Sequence, residues 1–167
     1  MRIAIIGNSG GGKSTLARKL ANDRSLPLCD VDELLWQPGW QLTPEAEYNS
    51  EHDRVVGGSD WIIEGLGRFD SIERRLERAS IIILVDLPLW QHYWLAAERQ
   101  IAWAQGQLED FPGGIDEMAP TKALFETIWT VDQTWMPQIR EMASRIERAG
   151  GDVRRIPSVE QLDLFKL

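Results

Sequence analysis

The stretch Ile3-Ala4-Ile5-Ile6-Gly7-Asn8-Ser9-Gly10-Gly11-Gly12-Lys13-Ser14-Thr15 decides the reading of this chain. An apolar run enters a glycine-rich turn that closes on Lys-Ser, and Gly7 with Gly12-Lys13-Ser14 satisfies G-x-x-x-x-G-K-[ST] in full. The flanks agree with the motif, because a strand pattern precedes it and a helical pattern over Ser14–Ala21 follows. Glycines at 7, 10, 11 and 12 let the backbone wrap with its N–H groups turned inward, a nest for phosphate oxygens. The helix N-terminus at Lys13–Thr15 adds its dipole. Lys13 is expected to reach the β- and γ-phosphates of a nucleotide, and the Ser14 hydroxyl to ligate Mg²⁺.

Working outward, the chain of 167 residues is 43% hydrophobic and 26% charged, which suits one globular domain over 1–167 with a full-sized core. Its formal net charge of −8 opposes approach to a phosphate backbone and disfavours direct nucleic-acid binding. A single cysteine, Cys29, cannot form an internal disulfide, which fits a reducing compartment. The apolar start is too short for a signal peptide, and no stretch approaches a membrane span. A cytoplasmic protein without membrane contact is expected.

Short β-branched runs over Arg2–Ile6, Leu26–Cys29, Trp61–Ile63, Ile81–Val85 and Val153–Ile156 read as buried parallel strands. Thr43-Pro44 offers a helix start. Trp90, Tyr93, Trp94, Ala97, Ile101 and Ala104 recur at helical spacing from about 89 to 104, and the tryptophans Trp90, Trp94 and Trp103 read as packing more readily than as a base-stacking platform. Thr121 and Thr134 would open two further helices, and Ser158-Val159-Glu160-Gln161 is a capping box. Strand–helix alternation means an α/β domain with a parallel sheet.

A nucleotidase of this loop type needs a carboxylate at the end of a neighbouring strand. Glu64, ending "WIIEG", and Asp86, ending "IIILVD", are both available. By pattern alone Asp86 follows the longer apolar run, and either residue also serves as a simple turn cap.

"IIGNSGGGKSTLARKLA", "CDVDELLWQPGW", "WIIEGLGRFD", "LERASIIILVDLP" and "RRIPS" resemble the adenylate-kinase-like P-loop proteins. Within them the chain is most similar to the topology modulation proteins of the FlaR type. The likeness runs from Met1 to about Leu89 and returns at Val153–Ser158. It implies a three-layer α/β/α sandwich, a five-stranded parallel sheet in order 2-3-1-4-5, and a small helical lid over about 87–120. It also implies Mg²⁺ and ATP as cofactors. Glu64-Gly65-Leu66-Gly67-Arg68 matches the family's acid–Gly–x–x–Arg run, so Glu64 stands for the Mg²⁺-shell acid and Arg68 for an arginine on the acceptor phosphate. The FlaR-type relatives usually read Gly-Asn-Tyr where this chain has Gly65-Leu66-Gly67. Asp86-Leu87-Pro88 matches the structural Asp-x-Pro that leads into the lid. Pro157-Ser158 resembles the turn lying against the adenine, with a plain helix cap as the alternative.

Asp30-Val31-Asp32 lies where small-molecule kinases of the superfamily hold their acceptor, and Asp32 fits the register for taking a hydroxyl proton. An N-cap is the alternative for it. Adenylate-kinase-like lids supply two arginines on the helix after strand 4; the matching positions here are Leu95 and Arg99. Between Asp86 and Arg140 only Arg99 and Lys122 are basic, against seven acids. Arg99 is the lid candidate and Arg140 a weaker substitute. His52 and His92 show no metal-ligand spacing. Two functions compete: phosphoryl transfer from Mg·ATP to a nucleotide or other small-molecule acceptor, and a regulatory nucleotide-binding ATPase with little kinase activity.

Overall fold

The computed structural model describes residues 1–108 and 120–167. Along the chain run β1 (Arg2–Gly7), α1 (Lys13–Arg24), β2 (Leu28–Asp30), α2 (Val31–Leu35), β3 (Trp36–Gln37), β4 (Gln41–Leu42) and α3 (Glu45–Val56). They are followed by β5 (Trp61–Glu64), α4 (Phe69–Arg78), β6 (Ile81–Val85) and α5 (Leu89–Ala104). The chain closes with α6 (Thr121–Thr130), a π turn (Val131–Trp135), α7 (Met136–Arg148), β7 (Asp152–Ile156) and α8 (Val159–Leu164). Five strands form one sheet in the order β2-β5-β1-β6-β7, with every pairing parallel. Counted along the chain within that sheet, the order is 2-3-1-4-5. The addition to expectation is the small antiparallel β3–β4 hairpin.

Side chains alternate across the sheet and build two cores, as a sheet covered on both faces requires. Ile3, Ile5, Ile62, Ile83 and Val85 face Leu16, Ala17 and Leu20 of α1. Ala4, Ile6, Ile63, Ile82 and Leu84 face Ile72 and Leu76 of α4 and Ile139 and Ala143 of α7. The fold class is therefore a P-loop α/β/α sandwich, with the glycine turn at the C-terminal end of its central strand. The lid-like insertion expected over about 87–120 lies partly outside the described residues. Among those described, no helix is long and apolar enough to cross a membrane.

Helix boundaries differ from the sequence expectation where side-chain caps decide. The cap of α2 is Asp30, whose carboxylate accepts from the Asp32 amide at 2.8 Å, so Asp32 is not the N-cap. Helix α7 does not start anew at Thr134: α6, the π turn and α7 run on, and the Thr134 hydroxyl donates back to the Thr130 carbonyl at 2.6 Å. Ser158 does cap α8, accepting from the Gln161 amide at 3.3 Å.

The turn after β5 is held by a buried network. Arg75, with none of its surface exposed, donates to the Gly65 and Leu66 carbonyls at 2.7 and 2.8 Å and to the Ser71 hydroxyl at 3.1 Å. Ser71 donates to the Arg68 carbonyl at 2.7 Å, which leaves the Tyr48 hydroxyl to donate to Ser71 at 3.0 Å while accepting from the Arg68 amide. Gly67 has φ +58°, and a Cβ there would collide with the Tyr48 hydroxyl. Gly67→Ala is expected to cost about 2–3 kcal/mol, a Tm drop of roughly 6–10 °C by thermal denaturation. Adding Tyr48→Phe should recover part of that loss, so that the double variant is more stable than the sum of the singles predicts.

Candidate active site

The phosphate loop is shaped by its backbone and by two neighbouring helices. Gly10 and Gly12 both sit at φ +73°, which only glycine adopts without strain. At Gly10 a Cβ would come within 2.7 Å of the His92 carbonyl oxygen, and at Gly11 within 2.9 Å of the His92 ring. Thus α5 lies directly against the loop. Leu162 of α8 packs beside Gly12, which brings the helix capped by Ser158 to the loop's flank. The fully buried Asn8 ties the loop in place: its amide donates to the Ile128 carbonyl on α6 at 2.8 Å, and its oxygen accepts from the Ser9 amide.

Helix α1 begins at Lys13 with no side-chain cap and no acid in its first turn, so its N-terminal N–H groups are left for an anion. Thr15 is exposed at that end. Lys13 is buried, and its ammonium donates back to the Asn8 carbonyl at 2.8 Å. Unpartnered donors, glycines too confined for side chains and a lysine folded over them fit the phosphates of a nucleotide.

Three carboxylates gather beside this loop. The β2–β5 register sets Asp30 directly next to Glu64. Glu64, 2% exposed, lies within hydrogen-bonding reach of Ser14 and Asp30. Asp32 reaches the same turn from α2, accepting from the Gly67 amide at 3.4 Å. Burial pushes Glu64 upward, with Asp32 adding to the effect and Lys13 and Ser14 opposing it. Burial also raises Asp30 to about 8, reinforced by Glu64 and Asp32. Among the described residues no group of three or more His, Cys, Asp or Glu is arranged to hold a metal ion by itself. That is compatible with Mg²⁺, which is usually held by a carboxylate or two, phosphate oxygens and water rather than an all-protein cage. Ser14 and Glu64 would be its protein-side partners.

The arginines divide sharply. Arg99 of α5 lies within electrostatic range of the carboxylates: burial lowers its pKa while Asp32 and then Glu64 raise it. Its guanidinium also stands 5.0 Å from the Trp103 ring centroid, and its Nε is buried with no hydrogen-bond partner. Arg68 lies aside, donating to Glu45 of α3 at 2.8 Å. Arg140 is held by both oxygens of Asp86, at 2.8 to 3.1 Å, so it is no spare cation for the loop. Leu95 is packed against the α1-side core, so its position is filled rather than lacking an arginine. Pro157 is exposed, and Ser158 is engaged as a cap.

Sequence reasoning did not single out Asp30, Asn8, Arg75 or His92 for the site. Arg75 had a signal, since it falls on the stripe of Ile72 and Leu76. His92, 1% exposed, accompanies the Ser9 carbonyl at 3.0 Å through Nδ1, which must carry the proton to donate there. Burial and then Lys13 lower its pKa to about 4, so it is neutral near pH 7.

No family model and no curated protein matches the chain, so the FlaR-type likeness rests on its motifs alone. Among solved structures the chain is similar to shikimate kinase from Aquifex aeolicus vf5, with 17% identity and a TM-score of 0.49 over 98% of this chain and 90% of that one. It is also similar to a gluconokinase from Sinorhizobium meliloti 1021, with 16% identity and a TM-score of 0.44 over 83% and 95%. Likenesses this distant carry no argument about chemistry. The fold class stands on the sheet order and the loop.

A pH test follows from the carboxylates. Asp30 has a folded pKa near 8 against 3.8 when unfolded, so between those values the folded state holds the extra proton. Its contribution to stability is therefore lost as pH rises through that window. The stability of Asp30→Asn relative to wild type should climb from pH 5 to pH 8 in denaturant titrations without metal. A pH-independent difference would show that Asp30 is not held protonated.

Glu64 and Asp86 are separable by nucleotide-linked stabilisation. Mg·ATP should raise the Tm of wild type and Asp86→Asn alike, with the Mg²⁺-dependent part of the shift lost in Glu64→Gln. The reverse pattern would transfer the metal-shell role to Asp86.

Proposed function

We propose that this chain is an ATP- and Mg²⁺-dependent phosphotransferase acting on a small acceptor. The observation that carries the reading is the convergence of Asp32, Glu64, Lys13 and Arg99 on the mouth of the phosphate loop, two acids and two cations from four different elements. A loop that only held nucleotide would need no second carboxylate beside the metal-shell acid.

Bound Mg·ATP would supply the transferable γ-phosphoryl group and the metal's charge. Gly10, Gly11, Gly12 and the N-terminus of α1, through Ser14 and Thr15, would hold the phosphates, with Gly7 setting the turn that starts the loop. Ser14 and Glu64 would orient the metal's ligand shell. Asp32 would accept the proton of an acceptor hydroxyl, a reading supported by its place beside the turn after β5, where it accepts from the Gly67 amide. Lys13 and Arg99 would meet the charge on the transferred group. Arg68, tied to Glu45, would reach an acceptor phosphate only after exchanging that ion pair. An acceptor that presents a hydroxyl and no phosphate asks for no such exchange, so a small polyol or sugar acid is favoured over a nucleoside monophosphate.

The experiment is an ADP-production screen over nucleoside monophosphates, nucleosides and sugar acids. Stimulation by one hydroxyl acceptor, abolished in Lys13→Ala and lowered about a hundred-fold or more in Arg99→Ala, is the expected result. Slow hydrolysis that no acceptor stimulates would favour the regulatory ATPase instead, and the scarcity of cations around the loop is the feature consistent with it.

A further inference from the structure

Helix α5 is inside out. Its buried residues are Gln91, His92, Ala96, Gln100 and Trp103, of which His92 and Ala96 lie against the phosphate loop, while Trp90, Trp94 and Ile101 are 63%, 60% and 57% exposed. Ordinary amphipathic helices do the opposite. The expectation that these tryptophans are packing is therefore corrected for two of them: among the described residues Trp90 and Trp94 are exposed, and of the three on this helix only Trp103 is buried.

The exposed face has a spacing of its own. Trp90, Trp94, Ala97, Ile101 and Ala104 follow one another at alternating steps of four and three, the a/d seam of a coiled coil. A seam of that period selects another helix as its occupant, since knobs-into-holes packing needs a partner with the same period. The seam is also complementary to itself when reversed. With two copies of α5 antiparallel, each a position packs beside a d position of the other copy, so Trp94 lies beside Ala97 of the second copy and Trp90 beside Ile101 of the second copy. The large Trp94 faces the small Ala97 on both sides of the two-fold axis, which allows close approach there. That is the reciprocity a two-fold interface demands.

Of the positions that border it, Gln91 and Gln100 are buried, Tyr93 is half-buried and Glu98 is the one exposed charge, and charge-poor borders are typical of interface centres. Tyr93 continues the face onto α6, where a shallow cavity of about 440 Å³ is lined by Tyr93, Phe125 and Trp129, the last 54% exposed. The three exposed tryptophans leave roughly 400 Å² of aromatic surface in water, as much as the largest apolar patch on most monomers. Two such faces together bury on the order of 1,000 Å², enough for a reversible dimer of micromolar affinity. A lipid surface is a poorer occupant, because the chain carries a net charge of −8 and the one cation lining the cavity, Lys122, sits beside Glu126.

We infer that the chain associates with a second copy of itself through an antiparallel α5–α5 contact centred between Trp94 and Ala97. Because His92 and Arg99 occupy the opposite face of the same helix, this dimer clamps the helix that borders the phosphate loop without obstructing the site.

Sedimentation velocity of the purified full chain, from about 1 to 200 μM, tests the association, with Kd expected in the micromolar range. Association should tighten as salt screens the like charges of the two copies. Trp94→Glu, at an exposed position, should raise Kd at least about thirty-fold with unchanged circular dichroism. Geometry is tested by cross-linking in a Cys29→Ser background. A mixture of Trp90→Cys and Ile101→Cys chains should form heterodisulfides, and Trp90→Cys alone should not. A wild-type chain that stays monomeric throughout, a dimer indifferent to Trp94→Glu, or cross-linking of Trp90→Cys to itself would each overturn the proposal. So would sedimentation with neutral phosphatidylcholine vesicles in place of self-association.

Discussion

Two carboxyl groups on adjacent strand ends are the constraint around which this molecule is arranged. Parallel pairing of β2 with β5 puts Asp30 beside Glu64 at the rim of the sheet, where burial already penalises each charge. Placing both as anions there would be costly, so the pair keeps a proton that free carboxylates would have lost. Lys13 and Ser14 partly relieve Glu64 from one side, and Arg99 approaches from the other. The buried guanidinium of Arg75, clamped on the Gly65 and Leu66 carbonyls, fixes the turn that carries Glu64 into position. A cluster this expensive is consistent with a site whose missing charge arrives with its ligands.

The second organising element is α5, which serves the site with one face and leaves the other to solvent. His92 and Ala96 press on the glycine loop so closely that side chains at Gly10 and Gly11 would not fit. The small residues of the motif are thus required twice, by the inward-turning backbone and by the helix behind it. With Asn8 anchored to Ile128, the loop is braced by α5 and α6 together, so motions of either helix would be felt at the phosphates.

Much of this was legible in the sequence because local chemistry and global topology agree there. The glycine loop carries its own strand and helix, and the β-branched runs mark strands that are buried on both faces. Strand β6 and helix α5 match the expected spans, Ile81–Val85 and 89 to 104. Less legible was whatever depends on register or on which helix face turns inward. Asp32 was the expected acceptor-side acid, yet the residue set against Glu64 by strand pairing is Asp30, and no periodicity reveals pairing between segments more than thirty residues apart. Arg68 was expected on an acceptor phosphate from the resemblance and Arg140 as a weaker substitute for a lid arginine; neither expectation could show that Glu45 and Asp86 hold them in ion pairs here. The stripe on α5 was correctly seen as a stripe, but hydrophobic spacing identifies an apolar face without saying whose core it enters.

The central claim is that the clustered acids and cations serve phosphoryl transfer and not nucleotide hydrolysis alone. It is tested most directly by following where the γ-phosphoryl of ATP goes, with ³¹P NMR of the chain incubated with Mg·ATP and candidate hydroxyl acceptors. A phosphate monoester resonance that grows in step with ADP, and that is missing when Asp32 is replaced by Asn, is the predicted result. Inorganic phosphate as the sole product, at a rate indifferent to every acceptor and to Asp32→Asn, would contradict it.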